Sequence, residues 1–305
     1  MTTSINVLIL GHGEMGQAMA YLLQDHHKIA IWEKIPRTRH AYISLEQGVP
    51  RADIVLFCLP VNPHREVAQA IAPLLQKTGL CVSIAKGLDE TGKTAAQILA
   101  EHLPANQPHA LLYGPMISEE IRAGRYAFGQ LGCLDPAWFR ILQNCFRPTR
   151  LCIEHTVDIT GISWSVILKN VYAMVFGMAD ELELGDNVRG FLATAALQEL
   201  DRIVLHQGGL PGTPYHLAGL GDLITTATSE SSHHHELGRR LAKGETHDIT
   251  GEGPHTLAMI ERHRLLDMPD YPLLHFIHLI VRDPSHVRER FLRFIAYLFE
   301  KSQGS

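Results

Sequence analysis

Short apolar runs without polar alternation punctuate the first half of the chain, at residues 5–10, 28–32, 54–59, 80–85 and 110–113. Runs of Val, Ile, Leu and small residues of this kind mark parallel strands buried on both faces. Helical spacing of apolar positions fills the intervals at 17–23, 66–75 and 94–102. That rhythm predicts an α/β fold built on a doubly wound parallel sheet. Near residue 156 it stops. From 159 onward the apolar positions recur only at helical spacing, over 162–182, 187–206, 234–243, 256–263 and 287–301. We therefore expect two domains meeting near 153–160, an α/β domain over 1–156 and an all-helical domain over 157–305.

The first strand runs into Gly11-His12-Gly13-Glu14-Met15-Gly16, a full G-x-G-x-x-G placed between a strand and a helix. In that context the motif predicts a Rossmann dinucleotide site. The first glycine permits a tight turn, the second admits backbone to the pyrophosphate, and the third lets helix pack on strand. Glu33 closes the second strand, 17 residues after Gly16, where a carboxylate accepts bonds from ribose hydroxyls and repels a 2′-phosphate. NAD is the expected cofactor, with Lys34, Arg37 and Arg39 leaving NADP open.

A second chemical signal is Lys169, the sole charge between residues 162 and 178. An ammonium in an apolar helix is costly unless it is paired or its pKa falls, and a lowered lysine pKa suits a general base or acid. A stem-buried lysine reaching out to water is the competing account. Lys86, just past the strand at 80–85, stands where open α/β sheets bind ligands. Asp222, isolated in a glycine-flanked apolar turn, is a candidate counter-charge for both lysines, with helix capping as the alternative.

Composition narrows the partners. The 305 residues are 46% apolar and 19% charged, with a net charge of −5, which argues against nucleic acid and for a small-molecule substrate. No uninterrupted apolar stretch reaches the roughly 20 residues of a membrane span, so no membrane insertion is expected. The first residues show neither a basic leader nor a cleavage site. Five unclustered cysteines (58, 81, 133, 145 and 152) suggest reduced thiols and a cytoplasmic setting, with Cys58 and Cys81 read as strand residues.

Taken together the motifs resemble the NAD(P)-dependent glycerol-3-phosphate dehydrogenase family over nearly the whole chain. The resemblance rests on the glycine turn, Lys86-Gly87 and residues 114–120 (Gly-Pro-Met-Ile-Ser-Glu-Glu). It continues through Leu168-Lys169-Asn170-Val171, Gly177-Met178-Ala179-Asp180, Gly185-Asp186-Asn187, Gly219-Leu220-Gly221-Asp222-Leu223, and Glu252-Gly253 with Thr256. It implies a sheet of six or seven strands, an all-helical second domain and a homodimer. It also implies that Lys169 is the general base that takes the hydroxyl proton as hydride leaves C2, and the acid of the reverse reaction on dihydroxyacetone phosphate. Lys86 would touch substrate and cofactor. Asn170, Asp222 and Thr226 would position substrate, and Ser118 and Glu252 would contact cofactor.

Two places depart from the family pattern. Its usual Ser-Arg-Asn grip on the substrate phosphate is here Ser232-His233-His234, and a substrate-side serine is Met116. Histidines can hold a phosphate as cations only when protonated, whereas arginine is always charged. Hence a dehydrogenase of another small hydroxy compound remains open, as does a non-catalytic NADH sensor. The intact Lys86, Lys169 and Asp222 speak against the sensor. No metal site is expected at 233–236, because consecutive helical side chains point about 100° apart.

Overall fold

The computed structural model describes residues 4–36, 40–229 and 232–303, with side chains to residue 300. Seven strands appear in chain order as β1 Asn6–Leu10, β2 Lys28–Trp32, β3 Ile54–Phe57, β4 Leu80–Ser83, β5 His109–Tyr113, β6 Ala127–Gly132 and β7 Leu151–Thr156. They form one sheet ordered β2-β1-β3-β4-β5-β6-β7, parallel throughout except for the β5–β6 pair. Side chains alternate between two apolar layers, which accounts for the unbroken apolar runs. Val7 and Ile9 join one layer with Ile54 and Leu56, while Leu8 and Leu10 join the other with Val55 and Phe57.

Helices α1 Glu14–Leu23, α2 Leu45–Gly48, α3 His64–Ile71, α4 Ala95–His102, α5 Ser118–Arg122 and α6 Pro136–Phe146 intersperse these strands. Thereafter the described chain is helical: α7 Ile159–Glu181, α8 Asp186–His206, α9 Asp222–Thr228, α10 His233–Ala242, α11 Glu252–His263, α12 Pro272–Arg282 and α13 Val287–Gln303.

Central in this half is α7, in which every residue from 161 to 179 is buried. Helices α8 to α12 pack around it, so it is apolar on all sides as a fully enclosed helix must be. By length and hydropathy (1.3) α7 is apolar enough to cross a membrane, yet 89% of that window is buried inside the protein. Lys169 and Asn170 interrupt the run, which is why it reads as shorter in sequence. Gly177 and Gly238 let the α7 and α10 backbones touch: a Cβ on either would collide with a carbonyl of the facing helix. That contact brings the start of α10 beside Lys169.

Several elements escaped the pattern reading. Strand β6 (Ala-Phe-Gly-Gln-Leu-Gly) carries two glycines and a glutamine, and the edge strand β7 (Leu-Cys-Ile-Glu-His-Thr) is partly polar, so neither forms an apolar run. The antiparallel β5–β6 pair breaks the all-parallel expectation. Strands β3 and β4 stop at Phe57 and Ser83, two residues short of the expected ends, where the chain opens into a cleft. Cys58 therefore lies in a loop and is only half-buried.

Candidate active site

The glycine turn sits at the carboxyl end of β1. Gly11 adopts φ +97°, and a Cβ there would strike the Cys58 carbonyl at 2.7 Å. Gly13 precedes α1, which has no side-chain cap, and nothing lies within 4 Å of where its Cβ would be. The first-turn amides of α1 are thus left for an anion approaching through open space, as a pyrophosphate requires. This turn opens into a cleft of about 590 Å³ whose walls include His12, Glu14, Trp32, Glu33, Ile35 and Tyr42.

Within the cleft Glu33 is held by backbone. Its Oε2 accepts the His12 amide at 2.8 Å and its Oε1 the Ile35 amide at 3.3 Å. Lys34 donates to both Glu66 oxygens, at 2.9 and 2.7 Å, which engages its charge away from Glu33. Arg37 and Arg39 lie outside the described residues. His12 Nδ1 pairs with the Tyr42 hydroxyl at 3.0 Å, and the His12, His40 and Tyr42 rings cluster. Burial, then His40, lowers the His12 pKa against the pull of Glu33. No periodicity flagged His40 or Tyr42, which follow an irregular segment. The donors and space fit a dinucleotide.

A second cavity, about 420 Å³, shares Gly13, Glu14, Cys58, Leu59 and Pro60 with the first. Its further walls include Met15, Lys86, Met116, Lys169, Asn170, His234 and Glu252. Both sequence-predicted lysines thus meet at one place, drawn from the loop after β4 and from α7. Asp222 joins them: its Oδ2 accepts from Lys86 Nζ at 2.6 Å, and its Oδ1 stands 3.3 Å from Lys169 Nζ. Lys169 donates to Thr226 Oγ1 at 2.6 Å, and that hydroxyl donates to the Asp222 carbonyl at 2.8 Å. A π turn over Leu217–Gly221 delivers Asp222 to the lysines. Such turns concentrate at functional sites.

The electrostatics follow from burial. Desolvation drives Lys169 down, Lys86 adds to the drop, and Asp222 resists, leaving a pKa of about 8. For Asp222, burial works upward, but Lys169 and Lys86 outweigh it and hold the carboxyl below its ordinary value. Asn170 Nδ2 donates to Glu252 Oε2 at 2.6 Å. Its buried Oδ1 has no partner among the described residues, so an acceptor of a cavity-lining residue is unspent.

The remaining expected residues separate. Asp222 and Thr226 do not line the cavity; they stand behind the lysines and act on it through them. Ser232 caps α10, accepting the His235 amide at 3.3 Å. Ser118 donates to Glu119 at 2.9 Å and lines neither cavity. Gly16 packs on Gly11 beneath the turn. The three histidines diverge: His233 is exposed and faces the Thr250 carbonyl (3.3 Å), His234 enters the cavity, and His235 binds Asp180 (2.7 Å).

His234 stands among opposing electrostatic influences. Burial first, then Lys169, His233 and Lys86, push its pKa down to about 3, against a raising pull from Asp222. It is therefore neutral near pH 7, with a buried Nδ1 unpartnered among the described residues.

Comparisons with known proteins agree with this arrangement. The family described as NAD-dependent glycerol-3-phosphate dehydrogenase matches by its N-terminal part over residues 33–138 and by its C-terminal part over 158–291. The chain is 31% identical to the Glycerol-3-phosphate dehydrogenase [NAD(P)+] of Gloeobacter violaceus over 279 residues, 88% of this chain and 90% of that one. Its counterpart in Synechocystis sp. is 34% identical over 80% of this chain and 76% of that protein. The crystal structure of glycerol-3-phosphate dehydrogenase from Coxiella burnetii shares the fold, with a TM-score of 0.81 at 24% identity, over 95% of this chain and 99% of that one. With both halves matched and the sequence similarity extending over most of its length, this chain belongs to the NAD-dependent glycerol-3-phosphate dehydrogenase family.

Proposed function

We propose that the chain interconverts glycerol 3-phosphate and dihydroxyacetone phosphate, with residues 1–156 holding the dinucleotide and 157–305 supplying the base. The observation that carries this reading is the Lys86–Asp222–Lys169 chain of charges, set against a cavity continuous with the glycine-turn cleft. Bound nicotinamide supplies the acceptor for the hydride leaving C2, or the donor in reverse. Neutral Lys169 takes the C2 hydroxyl proton at Nζ, and its ammonium form returns a proton to the carbonyl oxygen in the other direction. A pKa of about 8 gives both forms access near neutrality. Lys86 places positive charge near the oxygen that gains negative character, and Asp222 keeps the two ammonium groups from repelling each other apart. Asn170, Glu252 and His234 border the substrate, and the α1 amides with Glu33 hold the dinucleotide.

Glu33, facing the cleft while Lys34 is engaged by Glu66, supports NAD over NADP. The five unpaired cysteines support a reducing cytoplasmic setting, and the family resemblance supports a homodimer. One second reading has its own observation. Met116 and a neutral His234 in the cavity favour a small hydroxy compound lacking a dianionic phosphate. A screen following NADH absorbance decides, with dihydroxyacetone phosphate beside unphosphorylated ketones and keto acids. Turnover of dihydroxyacetone phosphate above all others supports the first reading, and turnover confined to an unphosphorylated ketone replaces it with the second.

A further inference from the structure

One buried titratable group plays no part in the chemistry above. His64, at the start of α3, is fully buried beneath the cleft, its ring 5.1 Å from that of Phe57. Its Nδ1 lies 2.9 Å from the Pro60 carbonyl and its Nε2 2.8 Å from Ser83 Oγ. Ser83 Oγ in turn accepts the Ala85 amide at 3.1 Å, and the Ala85 carbonyl accepts from Tyr113 at 2.8 Å.

The donor–acceptor sense of this relay is fixed. A carbonyl can only accept, so Nδ1 carries the hydrogen and donates to Pro60. Nε2 then accepts the Ser83 hydroxyl proton, which frees a Ser83 lone pair for the Ala85 amide. Burial pushes the His64 pKa down to about 4, so the neutral ring that this arrangement needs is the prevailing form. A side chain that merely filled the core would be apolar, because each buried polar atom needs a partner. Here both ring nitrogens are spent, Nδ1 on the Pro60 backbone and Nε2 on the Ser83 hydroxyl, in the two segments that border the active site. Pro60 lines both cavities, and Ala85 immediately precedes Lys86.

We propose that His64 and Ser83 are positioning residues for Lys86, tying the loop after β3 to the end of β4 so that the Lys86 ammonium meets Asp222. The proposal rests on the reading of Lys86, Asp222 and Lys169 given above. When the tie is cut, Lys86 drifts from Asp222 and its charge no longer opposes a proton on Lys169. Lys169 faces Lys86, Asp222 and Glu252, with His234 alongside, so losing the repulsion from Lys86 raises its pKa.

The test is the pH profile of kcat and KM for His64→Leu, His64→Gln, Ser83→Ala and Lys86→Met, each checked for folding by circular dichroism. We expect kcat to fall about tenfold or more in His64→Leu and Ser83→Ala, as a misplaced catalytic group costs. KM for NADH should stay near wild type, and the limb near pH 8 should move alkaline by about half a unit. His64→Gln, whose amide can still accept from Ser83, should recover most of kcat. Ser83→Ala keeps the test open if His64→Leu does not fold. The proposal is overturned if folded His64→Leu or Ser83→Ala retains the wild-type limb while Lys86→Met loses it. If Lys86→Met itself leaves kcat and the limb unchanged, the site reading fails and this proposal falls with it.

Discussion

The two ends of the cleft are made of different materials. At the dinucleotide end the working parts are mostly backbone, a left-handed glycine and uncapped α1 amides, and the one side-chain group, the Glu33 carboxylate, is itself pinned by two backbone amides. At the substrate end they are side-chain charges, Lys169 and Asp222 of the helical half with Lys86 reaching in from the α/β half to share that aspartate. Backbone donors cannot titrate and are paid for by local chain geometry. Buried charges hold only as a set, because removing one leaves the others uncompensated in a poorly solvating environment. Substitutions at the first end should therefore change which molecule binds, and substitutions at the second should change rate, pH dependence and stability.

The largest effect tests that separation directly. Lys169→Ala should lower kcat at least ~100-fold, the usual size of a lost general acid–base group, while NADH affinity by fluorescence titration stays within about twofold. A variant that loses NADH binding along with turnover would show the two ends to be coupled and break the comparison. In the wild type, oxidation of glycerol 3-phosphate needs neutral Lys169, so kcat should climb about tenfold per pH unit below 8 and level off above it. Reduction of the ketone needs the ammonium form and should fall above pH 8. Profiles that rise together would remove Lys169 from the proton step.

Asp222→Asn comes next. It keeps the shape but removes the counter-charge, so two neighbouring ammonium groups remain with nothing between them. Stability should drop by about 3 kcal/mol by denaturant unfolding, as for one broken half of a buried pair. The Lys169 pKa should fall further, moving the oxidation limb to lower pH. An unfolding midpoint equal to wild type would mean that the lysines are solvated better than their burial implies.

At the backbone end the effect is one of choice. Glu33→Ala should leave kcat with NADH within a few-fold and reduce the NADH-over-NADPH preference about tenfold, since a carboxylate no longer faces the 2′-phosphate. A wild type that already prefers NADPH would assign the choice to other residues and remove Glu33 from that role.

The two ends also differed in how far the sequence disclosed them. Gly11, Gly13, Gly16 and Glu33 were legible because the dinucleotide turn is a local feature with fixed spacing. Lys169 was legible for the opposite reason, as a charge where helix burial forbids one. Asp222 could be suspected as its counter-charge, but the 53 residues separating it from Lys169 in sequence hide the 3.3 Å approach. Thr226 and Asp222 standing behind the lysines, rather than on the cavity wall, is a matter of helix rotation that composition does not carry. His64 offered no signal, because a histidine opening an amphipathic helix looks like any surface residue until Ser83 is folded against it. Strands β6 and β7 were hidden by glycines and by an edge position that tolerates polar residues.

The smallest predicted effect lies where the two materials meet, at the start of α10. The family's arginine there would put a permanent charge near the substrate phosphate, and this chain has His233 outside the cavity and a neutral His234 inside it. Without a titrating cation, the KM for dihydroxyacetone phosphate should not improve as pH falls through ~6.5. It should instead follow the substrate's own second ionisation near ~6, which removes negative charge on the acid side. His233→Arg supplies a long guanidinium whose reach exceeds that of imidazole, and it should lower this KM by about threefold to tenfold at every pH. An unphosphorylated ketone measured alongside should be unaffected. If the wild-type KM for the phosphate falls steeply on acidification between about pH 8.5 and 5.5, an imidazolium is forming in the occupied site. His234 would then have joined the lysines as a third titrating group, and the substrate end would owe its phosphate affinity to a proton taken up on binding.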